Sequence, residues 1–97
     1  MPVFILIEAD EGTTGLVLVA QGRHAVAQVI GDCYDQQAAH AFCEEDRVFA
    51  QAQKAALLAM VAPYTWVGPG RYRLENREPH WQEWTLIITQ DTVYFLE

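Results

Sequence analysis

Hydrophobic and polar positions divide the chain into a first third of short apolar runs, a long middle rich in alanine and glutamine, and a last third that alternates. Val3-Phe4-Ile5-Leu6-Ile7 is a continuous β-branched and aromatic run, too short for a helix and closed by polar residues; it predicts a strand. Glu11-Gly12-Thr13-Thr14-Gly15 reads as a turn, and Leu16-Val17-Leu18-Val19-Ala20 as a second strand. Gln21-Gly22-Arg23-His24 turns the chain again into Ala25–Ile30, the expected third strand. Connections this short favour an antiparallel meander.

Gly31-Asp32 closes that section and helical composition begins. The short carboxylate of Asp32 or Asp35 suits an N-cap, where it accepts from the unpaired N–H groups of the first turn. Alanines, glutamines and Leu57-Leu58 then run to Ala62, and Pro63 is the expected stop. At 100° per residue, Ala38, Ala41, Phe42, Phe49, Ala52, Ala56, Ala59 and Met60 form one stripe, opposite His40, Glu44, Arg47, Gln51 and Lys54. Glu45 falls inside the apolar stripe. A straight helix over 35–62 would also extend about 40 Å, more than a small domain is wide. A bend or restart near Cys43–Asp46 accounts for both facts and exposes Glu45. The competing reading makes Glu45 a buried or interfacial carboxylate facing an arginine.

After Pro63, Tyr64–Val67 has strand character, and Gly68-Pro69-Gly70 fits a type II turn. Arg71–Glu75 alternates, with Tyr72 and Leu74 inward and Arg71, Arg73 and Glu75 outward. Trp81–Thr89 alternates with Trp84, Leu86 and Ile88 inward. Gln90-Asp91 suggests a tight hairpin into a last strand, Thr92–Leu96. The expected architecture is one α+β domain over 1–97. Its mostly antiparallel sheet has the order βββ–α–βββ, with one long helix, straight or kinked, packed on one face.

Composition agrees with a folded domain: 97 residues, 52% apolar and 20% charged. The net charge of −7 is spread along the chain with neither an acidic tail nor a basic run, which argues against direct binding to nucleic acid or anionic lipid. No positive region precedes the first apolar run, and no run approaches the roughly 20 residues of a membrane span. The expected location is cytoplasmic. Cys33 and Cys43, ten residues apart, would lie about 15 Å apart on one helix, too far for a disulfide, and read as reduced thiols.

Candidate chemistry is sparse. Gly12-Thr13-Thr14-Gly15 joins strand to strand and lacks the lysine of a phosphate-binding loop. His40 and Cys43, even with Cys33 or His24, match no zinc spacing, so no metal or cofactor is expected. A Cys43/His40 nucleophile is opposed by the adjacent Glu44, Glu45 and Asp46, which disfavour a thiolate. Those carboxylates are contiguous and point different ways, unlike a paired acid and base. The stretch Tyr64–Trp84 is more distinctive, holding Trp66, Trp81 and Trp84 together with Arg71, Arg73 and Arg77. Trp84 and Tyr72 read as core, with Trp66 a candidate for the same cluster. The outward arginines have two readings. One is a solvated face neutralised by Glu75 and Glu83. The other is a partner-binding or anion-binding patch of Arg71, Arg73, Arg77, His80 and Trp81, with Glu45 as a further candidate contact.

Function follows from what needs covering. Val3, Ile5 and Ile7 on one face of the first strand, and Phe4 and Leu6 on the other, leave one apolar face that a single helix does not cover. Curling of the sheet or a second subunit would cover it. A homodimer is expected, through that face or through the Leu57/Leu58/Val61 side of the helix. The expected function is a small protein-binding or regulatory module without catalytic activity. Two alternatives stand beside it. One is an acidic, phage-type inhibitor that mimics nucleic acid, which needs its acids on one continuous face. The other is a small-ligand binder or hydrolase using the Arg71/Arg73/His80/Trp81 surface.

Overall fold

The computed structural model describes residues 2–9, 15–77 and 81–90. In chain order the elements are β1 (Val3–Glu8), β2 (Val17–Gln21), α1 (Arg23–Ala39), α2 (Glu44–Val61), a 3₁₀ turn (Ala62–Trp66), β3 (Gly70–Asn76) and β4 (Gln82–Thr89). The sheet order is β2-β1-β4-β3, with every neighbouring pair antiparallel. The first and last strands of this set therefore lie side by side at the centre. The helical hairpin lies against one face, α1 over β2 and α2 towards β3. The fold is α+β with an antiparallel sheet, but the order is ββ–αα–ββ rather than βββ–α–βββ.

The core lies between sheet and helices. Phe4, Leu6, Leu74, Trp84, Leu86 and Ile88 project from the sheet to meet Val26, Ile30 and Tyr34 of α1 and Leu57 and Val61 of α2. The alternation expected in the last third is realised: β4 alternates buried and half-buried positions, with Trp84, Leu86 and Ile88 inward. Leu74 is buried on β3, and Tyr72 packs half-buried against the core. Trp84 also donates its Nε1–H to Gln82 Oε1 at 2.9 Å, while Gln82 Nε2 donates to the Gln53 carbonyl at 3.3 Å. A buried amide is thus satisfied from both ends.

Four expectations are corrected. First, Ala25–Ile30 is not a strand but the first part of α1. Its buried residues, Val26, Ile30, Tyr34 and Ala38, recur every four positions, the spacing of one helix face. Gly22, with φ of 99°, makes the abrupt exit from β2 into α1, a backbone conformation that side-chain-bearing residues rarely adopt.

Second, the single helix over 35–62 is two helices. The restart falls at Glu44, where a break near Cys43–Asp46 was expected; Cys43 is the extended N-cap of α2. Glu44, Glu45 and Asp46 occupy its first turn, where negative charge complements the helix dipole.

Third, the restart resets the helical phase, so the expected alanine stripe is buried only in part, at Ala38 and with Met60 packed against the core. Phe42, Phe49 and Ala59 are exposed, while Ala50, Leu57 and Val61 are buried. The Leu57/Leu58/Val61 side expected to seek a second subunit is covered within the chain, with Leu58 packed against the core.

Fourth, Tyr64–Val67 is not a strand. The α-helix does stop ahead of Pro63 as expected, at Val61, and Pro63 sits at the start of the 3₁₀ turn Ala62–Trp66, whose opening turn has no use for its missing N–H.

The expected strand Thr92–Leu96 and the Asp91 end of its hairpin lie outside the described residues. Among the described residues, no helix is long and apolar enough to cross a membrane.

Candidate functional site

Register decides which side chains face away from the helices. Phe4 pairs with Ala20 and Ile88, and Leu6 with Leu18 and Leu86, all on the helix side. Side chains alternate along a strand, so the neighbours on the other face form cross-strand rows. One row runs Val19–Ile5–Ile87–Arg71, and the next Val17–Ile7–Thr85–Arg73. This helix-free face is apolar over β2 and β1 and becomes charged at β3.

At the charged end, Arg73 Nε lies 2.6 Å from Glu83 Oε2, and its terminal nitrogen lies 3.6 Å from Glu75 Oε2. Arg77 Nε is 3.7 Å from Glu75 Oε1. The structure thus brings Arg73 and Arg77 together with the acids expected to neutralise them, and Arg71 is exposed on the same face. Trp81 is 55% exposed just ahead of β4, and His80 lies outside the described residues. Glu45 is exposed on α2, the outcome expected of a break rather than of a buried carboxylate. Of the six candidate residues, the structure brings Arg73 and Arg77 together around Glu75 and places Arg71 on the same face.

The ion pairs at β3 are solvated, so their net contribution to folding is small. Arg71→Ala and Arg73→Ala should each change unfolding free energy by no more than about 0.5 kcal/mol. Urea denaturation of the two variants checks this, and a loss matching a core truncation would place an arginine in a buried contact instead.

Two further surfaces escaped the reading of the sequence. Arg23, the first residue of α1, stacks its guanidinium 4.5 Å from the Trp66 ring centroid and donates from Nε to the Thr65 carbonyl at 2.6 Å. Trp66 is 76% exposed and so stands outside the core cluster. Nothing local announces this cation–π pair, because the helical hairpin must return before residue 66 meets residue 23. Towards the other end of α2, Phe42, Val48 and Phe49 are all exposed, Phe42 fully. A shallow cleft there is lined by Glu44, Glu45, Asp46, Val48 and Phe49. The unfavourable position of Glu45 in a continuous stripe, with the excessive length of a straight helix, was the signal that this region is a break.

Among the described residues, the shifted titratable groups belong to no metal-binding cluster. Partial burial raises the Cys33 thiol above its ordinary value, with Glu8 adding to the shift and the hydrogen bond from Gln37 opposing it. A raised thiol is the opposite of an activated nucleophile. Burial foremost, then the charges of Glu8 and Cys33, pushes the Tyr34 hydroxyl well above its usual range. The hydrogen bond from Lys54, at 2.7 Å, lowers the Asp35 carboxyl and ties α1 to α2. His40 is the C-cap of α1 and Cys43 the N-cap of α2, so the two do not lie on one helix. The one-helix distance argument for Cys33 and Cys43 falls with it; both are nonetheless free thiols. Among the described residues, no group of three or more His, Cys, Asp or Glu side chains could hold a metal ion. No protein-family profile, curated protein or solved structure matches the chain.

Proposed function

We propose that the chain is a non-catalytic protein-binding module that acts as a homodimer. The observation that carries this reading is the helix-free sheet face, where Ile5, Val19 and Ile87 share a row while both helices lie on the opposite side. An apolar strip bordered by charge is the composition of a surface that meets another protein, since burying it against a partner removes apolar area from water.

The acid-mimic reading has less support. Asp35, Glu44, Glu75 and Glu83 each sit beside a lysine or arginine, so these charges form a mosaic rather than one acidic face. The small-ligand reading is weakened because Arg73 is already engaged by Glu83 and Glu75.

Static light scattering at micromolar concentration tests the homodimer. The expected mass is twice the 11.0 kDa of one chain. A monomer mass across that range overturns it.

A further inference from the structure

We infer that two copies of the chain join through the outer edges of their β2 strands, antiparallel, about a two-fold axis at Val19. This rests on the homodimer reading and places its seam at the sheet edge, where the helix-free faces of the two copies join into one surface rather than bury each other.

The hydrogen-bond phase of the sheet shows what each edge presents. The Glu8 N–H donates to the Leu16 carbonyl at 2.9 Å, and the Gly22 N–H to the Pro2 carbonyl at 2.8 Å. In an antiparallel ladder, bonded and non-bonded pairs alternate. Leu16, Leu18, Ala20 and Gly22 therefore turn their backbone groups towards β1, while Val17, Val19 and Gln21 turn theirs outward. No described strand pairs with that outer edge. Val17 is 55% exposed and Gln21 is exposed, so the edge is open at both ends.

The same reasoning at the other end of the sheet gives the contrast. The Ala9 N–H donates to the Glu83 carbonyl at 2.9 Å, which fixes the β1–β4 phase and, through the register, that of β3. The outward residues of β3 are Arg71, Arg73 and Glu75. Every outward position of β3 is charged, a common device against unwanted edge pairing. No outward position of β2 is charged.

Charge then selects the partner. Two copies of a chain with net charge −7 repel each other, so a seam between them must avoid setting like charges together. β2 meets that condition. The described lining residues of the cleft beside it, Leu16, Cys33, Gln36, Gln37 and His40, include no Asp, Glu, Lys or Arg, and the acid next to them is Glu8, whose carboxylate accepts from the Leu16 N–H at 3.4 Å. A two-fold axis at Val19 sets Val19 against its copy and Val17 against Gln21. These are hydrogen-bonded pairs, so every outward N–H of the strand finds an outward carbonyl. The side chains of Val17 and Val19 lie on the helix-free face, and its apolar half runs on across the seam. This is the isologous geometry of a closed dimer.

Val19→Pro is the decisive variant. It deletes the central outward N–H without removing a bond to β1, and proline is tolerated on an edge strand. Each dimer loses the bonded pair at its axis and keeps carbonyls without donors, so association should weaken on the order of 100-fold. Val17→Lys, at an exposed position, places a charge on the seam and should also give monomers. Arg71→Pro makes the equivalent lesion on the β3 edge and should leave the dimer intact. Sedimentation velocity reads the mass, and far-UV circular dichroism reports that each variant is folded. Amide exchange of Val17, Val19 and Gln21 should slow as the wild-type concentration rises. A dimeric wild type whose Val19→Pro and Val17→Lys variants stay dimeric overturns the β2 seam alone. A monomeric wild type overturns the homodimer reading itself.

Discussion

Trp84→Ala should be among the most damaging single truncations in the chain, at about 5 kcal/mol, the upper end of the range for buried aromatics. Trp84 has no exposed surface and sits on a central strand opposite both Glu8 and Leu74. Truncation loses the transfer energy of the indole and leaves a cavity between sheet and helices, where the surrounding elements collapse only in part. It also removes the donor to Gln82 Oε1, a residue only 4% exposed. A buried acceptor left without its donor adds roughly 1–3 kcal/mol. Domains of this size are stable by about 5–15 kcal/mol, so the variant approaches unfolding at room temperature. Trp84→Phe separates the two contributions, since it keeps most of the volume and loses only the N–H. Urea denaturation should place it between wild type and Trp84→Ala. Equal losses for Phe and Ala would assign the effect to the hydrogen bond, and small losses for both would mean that Trp84 does not sit in the core.

The same strand illustrates what was legible in the sequence. On β4 and β3 the polar Glu83 and Thr85 flanking Trp84, and Arg73 between Tyr72 and Leu74, leave one assignment of faces despite the apolar Ile87, because period 2 admits no helical alternative. The ion pairs of Arg73 with Glu75 and Glu83 were legible for the same reason: parity places all three on one face, and cross-strand register does the rest. Gln82 was not, although it is buried. Glutamine at that parity looks like an edge of the strand until the Gln53 carbonyl arrives from α2.

The middle of the chain was misread because its decisive interactions are distant. Phe42 and Phe49 fit one stripe only if the helix is continuous, and the break at Cys43 changes the phase for everything after it. A helix that restarts presents a new face, and the core takes Leu57 and Val61 rather than Phe42 and Phe49. The Arg23–Trp66 pair depends on that return and has no local trace. The open edge of β2 was half legible. The run Val17–Gln21 displays its lack of charge, but only the sheet order shows that this strand lies at an edge.

Ile30→Ala and Gly31→Ala should act in opposite directions, and together they distinguish the helix from the strand that composition suggested there. The run Ala25–Ile30 admits both periods, since Val26, Gln28 and Ile30 can alternate as well as lie along a helix. Extension to Tyr34 and Ala38 is what completes a helical stripe. Ile30 has no exposed surface and packs in the core, so its truncation should cost about 2–5 kcal/mol through lost burial and a residual cavity. Gly31 follows it within α1, and a methyl group added there would meet only Lys54 Cε at 3.9 Å, an ordinary contact. Alanine lowers the conformational entropy of the unfolded chain relative to glycine and suits a helix interior, so Gly31→Ala should stabilise by about 0.5–1 kcal/mol. Were residue 31 the turn closing a strand, alanine there would gain nothing from helix propensity. Urea denaturation of the two variants reads both signs. A destabilising Gly31→Ala, together with a tolerated Ile30→Ala, would put the end of β2 and the whole of α1 in the wrong place.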